Sequence, residues 1–400
     1  MINFQVYSEV EPWKRPYHAV LALLAKIYLK LLPNLKVIGI TGSVGKTLTQ
    51  NAIYSVLSQK HKVVVGDENL DPTFRIPKTI SKARPWDDYL ILEYGVEHPG
   101  DMDYYLSLAK PKIAILTKIT PTHLKYFKNE QGVYHEKSKL ITSLSTYDTA
   151  LLNVDDPYFQ KLTTKTKASV AHFGQNAKDG VKISHFTQDL TGSRFRLHYG
   201  SKKATVTWRI IGKHQLLAAY AATAVGVVCG LTLKQMARGL SETKPPSHRL
   251  NLVRTPKSIV IDDTYNSSPQ AAIEAVNTLI GLGQRKTKIA VFGEMKDLGA
   301  QSAKLHKDLG QKIAKKNINY LITIGKVTRE ISKAARANQF KGKLFYAANA
   351  KEAATYLNKI AIKNSLILVK GSRHAHLERI VLALQKKSTQ INCYHCGSLS

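Results

Sequence analysis

The run KVIGITGSVGKT, Lys36 to Thr47, constrains this chain more than any other feature: an apolar stretch of strand type ends in a turn bracketed by glycines and closed by Lys-Thr. Gly42 and Gly45 lack a Cβ, so the backbone N–H groups from Gly42 through Ser43 and Val44 to Gly45 can turn toward one anion, and a helix starting near Lys46 adds its positive end. The stretch reads as a strand, a phosphate-holding turn and a helix. In such a turn the lysine reaches the β- and γ-phosphates of a nucleotide, and the hydroxyl of Thr47 ligates Mg²⁺. The strict glycine-loop pattern places Gly at 40; here Ile40 stands there and Gly39 comes one residue early.

A chain of 400 residues is long enough for two or three domains at roughly 150 residues each. Hydrophobic content of 44% and charged content of 22% are ordinary, whereas a formal charge of +31 is not. The excess is spread along the chain, which fits a solvated lysine-rich surface, a polyanionic ligand, nucleic acid or an anionic membrane face. Three cysteines are too few for a disulfide framework and point to a reducing cytoplasm. Cys393 and Cys396 have C-x-x-C spacing with only His395 beside them, short of the four ligands of a structural zinc site, so a tail over 389–400 is the simpler reading.

No segment has the uninterrupted apolar length of a membrane span or the cleavage site of a secretory signal. Residues 1–34 contain an amphipathic helix instead: Val20, Leu23, Leu24, Ile27, Tyr28 and Leu31 recur at helical spacing, with Lys26 and Lys30 off the stripe and Trp13, Lys14 and Arg15 ahead of it. Two readings stay open, packing against the next domain or peripheral contact of residues 13–32 with the inner, anionic face of a membrane.

Beyond the turn, the strand-like runs Lys62–Val65, Tyr89–Leu92, Lys112–Leu116 and Ala150–Asn153 alternate with helix-length stretches, the α/β pattern of a mostly parallel sheet. Between 168 and 212, alternating runs such as Arg194–His198 and Thr205–Ile210 predict an antiparallel edge, followed by helices over His214–Cys229 and Thr232–Leu240. A polar linker, Ser241–His248, separates a central domain (35–246) from a second one (247–388), where Ser258–Ile261, Lys288–Phe292, Tyr320–Ile324, Leu344–Tyr346 and Ser365–Val369 restart the alternation as a Rossmann-like doubly wound domain. Ligands bind at strand ends in such sheets. Glu93 ends YLILEYG and is suited to hold Mg²⁺ opposite Thr47; His123 follows KIAILT by a short loop; Lys137, in VYHEKSKLI, is expected to open a helix.

The series TGSVGKT (41–47), ILEYGVEHPGDM (91–102), THLKYF (122–127), GVYHEKSKLI (132–141), IGKHQLLAAYAA (211–222), HRL (248–250), VIDDTYNSSP (260–269), VFGEMKDLG (291–299) and ILVKGSR (367–373) resembles the motif series of Mur ligases, in order and from Lys36 onward. Two of them, DDTYNSSP and GEMKDLG, resemble the branch that adds D-alanyl-D-alanine. The resemblance implies an ATP-dependent ligase of cytoplasmic peptidoglycan-precursor synthesis. A carboxylate is phosphorylated to an acyl phosphate, and an amine then displaces phosphate.

By the same resemblance Lys46 holds phosphates, Thr47 and Glu93 the first Mg²⁺, and His123 a second, with Lys137 carbamylated to ligate it. Arg249 reaches the nucleotide phosphates, Asp263 the ribose, Asn266 shares that loop, and His214 borders the adenine. Lys370, Ser372 and Arg373 receive the amine substrate, and closure of one domain on the other completes the site. The partners implied are a small-molecule or peptidyl carboxylate substrate and an amine substrate, and the protein is expected to be a monomer.

Departures from the pattern bear on substrate more than on reaction. Family members carry a uridine-nucleotide-binding domain where about 35 residues precede the turn here. Gln215 and Ala218 stand for two Asn residues, His248 for Gly, Lys139 for Glu, Glu97 for Asn, and Arg75, in the loop Asp67–Pro77, for Gly. A same-superfamily ligase acting on a folate polyglutamate or a poly-amino-acid chain is the alternative within the class. A basic P-loop ATPase that binds nucleic acid or membrane is the alternative outside it, and it lacks the aromatic-interleaved basic motifs of single-strand binders, so no specific nucleic acid is expected.

Overall fold

The computed structural model describes residues 12–67, 72–361, 364–393 and 397–399. Cys396 and His395 lie outside them, as do residues 68–71 of the stretch Asp67–Pro77; from Pro72 on, that stretch is helix and not the expected loop. The chain divides into two compact units. The first takes the described residues up to Thr187, with Ser193–Arg209 and Gln215–Lys244; the second takes Gln188–Gly192, Ile210–His214 and the described residues from Pro245 on.

In the first unit, β1 (Lys36–Thr41), β2 (Val63–Val65), β3 (Tyr89–Glu93), β4 (Ile113–Leu116), β5 (Thr149–Asn153) and β6 (Ser169–Phe173) form one sheet in the order β2-β3-β1-β4-β5-β6. Every pairing is parallel. The inner strands β1, β3, β4 and β5 are apolar runs buried on both faces, as a parallel sheet covered by helices requires, while the edge strands β2 and β6 are only partly buried. From β1 the chain goes to the edge strand β2, returns to β3 beside β1 and crosses to β4 on the other side of β1, so the winding reverses around β1, where ligands bind at the carboxyl ends of strands in sheets of this kind.

One face carries α1 (Arg15–Lys30), α3 (Pro72–Lys82), α4 (Asp101–Leu108) and α6 (Glu130–Thr142), whose Ala25, Ile80, Met102 and Leu140 pack on Leu90, Leu92, Ala114 and Leu116. The short α5 (Leu124–Phe127) and α7 (Phe159–Lys165) flank α6. The other face receives α2 (Lys46–Leu57) and α8 (Leu216–Val228), with α9 (Leu233–Glu242) behind them.

A separate three-stranded sheet, β7 (Lys182–Asp189), β8 (Gly192–Tyr199) and β9 (Lys202–Trp208), takes the region where alternation was expected. The change of texture comes later than expected, because β6 continues the parallel sheet. A larger correction concerns α1. Val20, Leu23, Leu24, Ile27 and Leu31 face solvent, and Trp13 and Tyr17 with them, whereas the buried side consists of His18, Ala22 and Ala25. Of the expected stripe, Tyr28 turns inward and donates its hydroxyl to Ala83 O at 2.7 Å.

In the second unit, β10 (Asn251–Arg254), β11 (Ser258–Asp263), β12 (Thr287–Phe292), β13 (Tyr320–Ile324), β14 (Lys343–Ala347) and β15 (Ser365–Lys370) are ordered β10-β11-β15-β12-β13-β14. All pairs are parallel except the β10 edge. Alternation along each strand divides the core. Ile261, Ala290, Phe292 and Leu368 meet α10 (Pro269–Leu282), α11 (Ser302–Ala314) and α12 (Arg329–Ala337) on one face. Val260, Ile289, Val291 and Val369 meet α13 (Ala350–Ile360) and α14 (Glu378–Leu384) on the other. Such a period of two with helices above and below is the doubly wound arrangement.

Candidate active site

The turn between β1 and α2 forms as its glycines demand. Gly42 sits at φ +144°, where an added Cβ would collide with Thr117 Oγ1, and Gly45 at φ +79° is the left-handed residue that starts α2. Lys46 Nζ donates to Gly42 O at 3.1 Å, laying its ammonium across the mouth of the turn. The start of α2 is a helix end of the kind that suits an anion, since first-turn N–H groups find no partner within their own helix. Ser43 does something else: its N–H goes to Lys118 O at 2.7 Å and its hydroxyl to Thr120 O at 2.8 Å, while Thr117 Oγ1 donates to Val44 O at 2.7 Å. Ser43 and Val44 thus fasten the turn to the segment after β4.

Beneath the turn, Thr47 Oγ1 donates to Glu93 Oε2 at 3.1 Å, joining the start of α2 to the end of β3. A hydroxyl and a carboxylate side by side are hard oxygen donors of the kind Mg²⁺ takes. The same carboxylate oxygen accepts from Arg75 Nη1 at 3.2 Å, and Arg75 Nη2 donates to Gln50 Oε1 at 3.0 Å. Arg75 and Glu93 are both buried, so each neutralises the other's charge. In the sequence Arg75 stands out only as a departure; its role follows from α3 delivering it to Glu93, which no local signal announces.

Lys137 does not open its helix. Asn129 caps α6, accepting from Gly132 N, and Lys137 lies well inside it, 1% exposed. Burial first, then the positive charge of Lys46, hold its ammonium well below the usual lysine range, against the pull of Glu97, Glu136 and Glu93. The helix is tied down around it: Glu136 Oε1 accepts from Gly100 N and Met102 N at 3.0 and 2.9 Å, and Lys139 bridges Glu136 Oε2 and Asp103 Oδ2 at 2.8 and 2.6 Å. Lys139 is therefore a brace between α6 and α4. His123 starts α5 in a left-handed conformation, φ 51°, on the loop after β4. Among the described residues no three His, Cys, Asp or Glu side chains gather into a metal site by themselves.

The second unit builds its own cluster at adjacent strand ends. Asp263 and Lys370 close β11 and β15, are register partners, and form a buried ion pair at 2.6 Å; Lys370 Nζ also donates to Asn266 O at 2.8 Å. Lys370 is thereby joined to Asp263 and Asn266. Arg249 stacks its guanidinium 4.1 Å above the Tyr265 ring, and Tyr265 N donates to His248 O at 3.1 Å. His248 Nδ1 lies 2.8 Å from Asp262 Oδ2, a hydrogen bond that raises the imidazole above its ordinary range.

His214 belongs to a short 3₁₀ turn ahead of α8, with Nδ1 3.9 Å from Glu274 Oε2; its packed surroundings lower its pKa while Glu274 and Asp263 oppose. Arg373 pairs with Glu378 at 3.4 Å. Ser372 Oγ is buried and makes no hydrogen bond to the described residues, and the same holds for Ser267 Oγ on the loop after β11. No sequence pattern singles out Ser267; its unsatisfied hydroxyl marks it as a group awaiting a polar partner.

In the first unit a glycine turn at a helix start lies beside a hydroxyl and a carboxylate of the kind a hard cation takes, an arrangement that fits an enzyme working on a nucleoside triphosphate. Residues 40–226 match the Mur ligase middle domain and residues 248–373 the Mur ligase glutamate ligase domain. The UDP-N-acetylmuramoyl-tripeptide–D-alanyl-D-alanine ligase of Buchnera aphidicola is 32% identical over 362 residues, 88% of this chain and 76% of the relative. The same-named enzyme of Bacillus subtilis is 30% identical over 363 residues, 90% and 77% of the two chains. The crystal structure of MurF from Acinetobacter baumannii superposes with a TM-score of 0.83 at 26% identity, covering 92% of this chain and 81% of that one.

The chain belongs to the Mur ligase family. It is accordingly an ATP-dependent, ADP-forming ligase.

Proposed function

We propose that the protein joins D-alanyl-D-alanine to the terminal carboxylate of a UDP-N-acetylmuramoyl-tripeptide, the reaction carried in the names of its relatives. The observation that carries this reading is the joining of Thr47 to Glu93 beneath the glycine turn, with a buried Lys137 whose charge is felt by both Lys46 and Glu93.

The substrate carboxylate attacks the γ-phosphorus of ATP, the bond to the β–γ bridging oxygen breaks, and ADP departs. The amine then attacks the acyl carbon of the resulting acyl phosphate, phosphate leaves, and the amine gives up its proton. Anions repel in the first step, so cationic donors decide its rate. Lys46 and the first turn of α2 hold the transferring phosphates. Thr47 and Glu93 would hold a Mg²⁺, which when bound would offset phosphate charge. His123 would serve a second ion together with Lys137 as its carbamate. The depressed pKa favours that modification, since the neutral Nζ forms the bond to the carbon of CO₂ and releases a proton. In the second unit Arg249 and Asp263 serve phosphates and ribose, with Asn266 and His214 beside them. Ser372 and Arg373 receive the dipeptide, while Lys370 positions the Asp263–Asn266 loop.

ADP release measured with the UDP-linked tripeptide, with and without D-alanyl-D-alanine, tests the proposal, together with the product mass. Dipeptide-dependent release and a product heavier by one dipeptide residue unit support it, and Lys46→Ala abolishes turnover. Release that ignores the dipeptide but responds to another amine or carboxylate overturns the substrate assignment.

A further inference from the structure

Helix α1 turns its small side chains to the protein and its large ones to solvent. Ala22, Ala25 and His18 pack toward α3 and α4, while Trp13, Tyr17, Val20, Leu24, Ile27 and Leu31, spaced alternately by four and three residues, form one outward stripe with Leu23 at its edge. Trp13 is 74% exposed and Leu31 70%. A continuous apolar stripe of this kind marks an interaction surface. No helix among the described residues is long and apolar enough to cross a membrane, so the stripe does not belong to a span.

The charge around the stripe selects its occupant. Between Pro12 and Lys36 there is no Asp or Glu, whereas Lys14, Arg15, Lys26, Lys30 and Lys36 all lie there, in a chain of net charge +31. Lys26 and Lys30 are exposed along one flank. Two copies meeting stripe to stripe would bring these cations together with no acidic group on the helix to offset them. An anionic bilayer offers what both parts need, acyl chains for the apolar residues and headgroup charge for the lysines, with a tryptophan at the helix entrance suited to the interface.

We infer that α1 docks the protein on anionic lipid, lying in the plane of the surface with Val20, Leu24, Ile27 and Leu31 inserted and Lys26 and Lys30 among the headgroups. The inference goes beyond the ligase reading and does not depend on it.

Co-sedimentation of the full-length protein with phosphatidylglycerol-containing vesicles, against pure phosphatidylcholine, tests it. Wild type should partition at least about tenfold more strongly to the anionic vesicles, and the preference should fade with salt. Leu24→Glu with Ile27→Glu should remove binding, and Lys26→Glu with Lys30→Glu should remove the anionic preference; both variants change exposed positions. Equal sedimentation of wild type and both variants overturns the inference. So does a dimer in light scattering that Leu24→Glu dissociates without any lipid-dependent sedimentation, which would make a second copy the occupant. Lipid-free ADP release by the same variants should match wild type, so loss of lipid binding is read separately from loss of ligase activity.

Discussion

Arg75 and Glu93 show how much a single residue decides at this site. With Arg75 removed, Glu93 keeps a buried charge beside the Thr47 hydroxyl but without its guanidinium partner. Arg75→Met should therefore lower stability by about 3–5 kcal/mol in the presence of a chelator, and Mg²⁺ should restore more melting temperature to the variant than to wild type. Thermal melts with and without Mg²⁺ check both parts.

Lys137 makes a second residue-scale prediction: incubation with ¹³C-bicarbonate should give a carbamate carbon signal in NMR that is missing from Lys137→Met. His306 supplies the pH dependence. It is fully buried, accepts from Met295 N through Nε2 at 3.1 Å, and holds its Nδ1 2.7 Å from Ser302 O, so the ring is neutral with its proton on Nδ1. Burial lowers its pKa. The folded pKa is below the unfolded one, so as pH falls below about 6.5 the unfolded chain takes up a proton first and stability drops. Urea titrations should show a loss of about 1.4 kcal/mol per pH unit between those two pKa values, absent from His306→Gln.

At the scale of elements, the strands were legible because short β-branched runs bounded by polar turns have few alternatives. The ends Glu93, Asp263 and Lys370 close the strands that the alternation outlined. Three features were not. β6 and β10 are half-buried edge strands with mixed composition, and pairing rather than propensity makes them. The third is the start of α6. Its cap Asn129 is followed by Gly132 in the first helical turn, a residue that weakens any helical pattern and is there because a Cβ would meet Phe127 O, so the helix seems to begin later than it does and Lys137 falls in its body.

The direction of α1 was illegible for a physical reason. Helical periodicity locates an apolar stripe without saying what covers it, and Ala22 and Ala25 let the helix approach its neighbours more closely than leucines would. Ala25→Leu should therefore cost about 1–3 kcal/mol by overpacking, whereas Leu24→Ala on the outward side should stay within about 0.5 kcal/mol. Urea unfolding of the two variants decides between the faces. The site residues were legible chiefly through motif order, since Glu93, His123 and Lys137 come from separate elements and only the sheet order explains why the first two share an edge.

For the molecule as a whole, a charge of +31 on 400 residues means that every folded conformation works against its own field. Raising ionic strength from about 0.02 M to about 0.3 M should increase the melting temperature, and sulfate should do so more than chloride. A melting temperature that falls with added salt would show that attractive ion pairs outweigh the repulsion.

The doubly wound unit also ties together the two loops to which the proposed roles assign nucleotide and dipeptide. Asp263 and Lys370 are neighbours across β11 and β15, and their buried contact fuses the two loops that follow those strands into one stiff piece. Under the proposed roles, the sugar of the nucleotide rests on one side of that piece and the incoming dipeptide on the other. A ligand that settles one loop has already arranged the other, so triphosphate and dipeptide should each tighten the binding of the other by the same factor, and Lys370→Met should bring that factor toward one in calorimetric titrations.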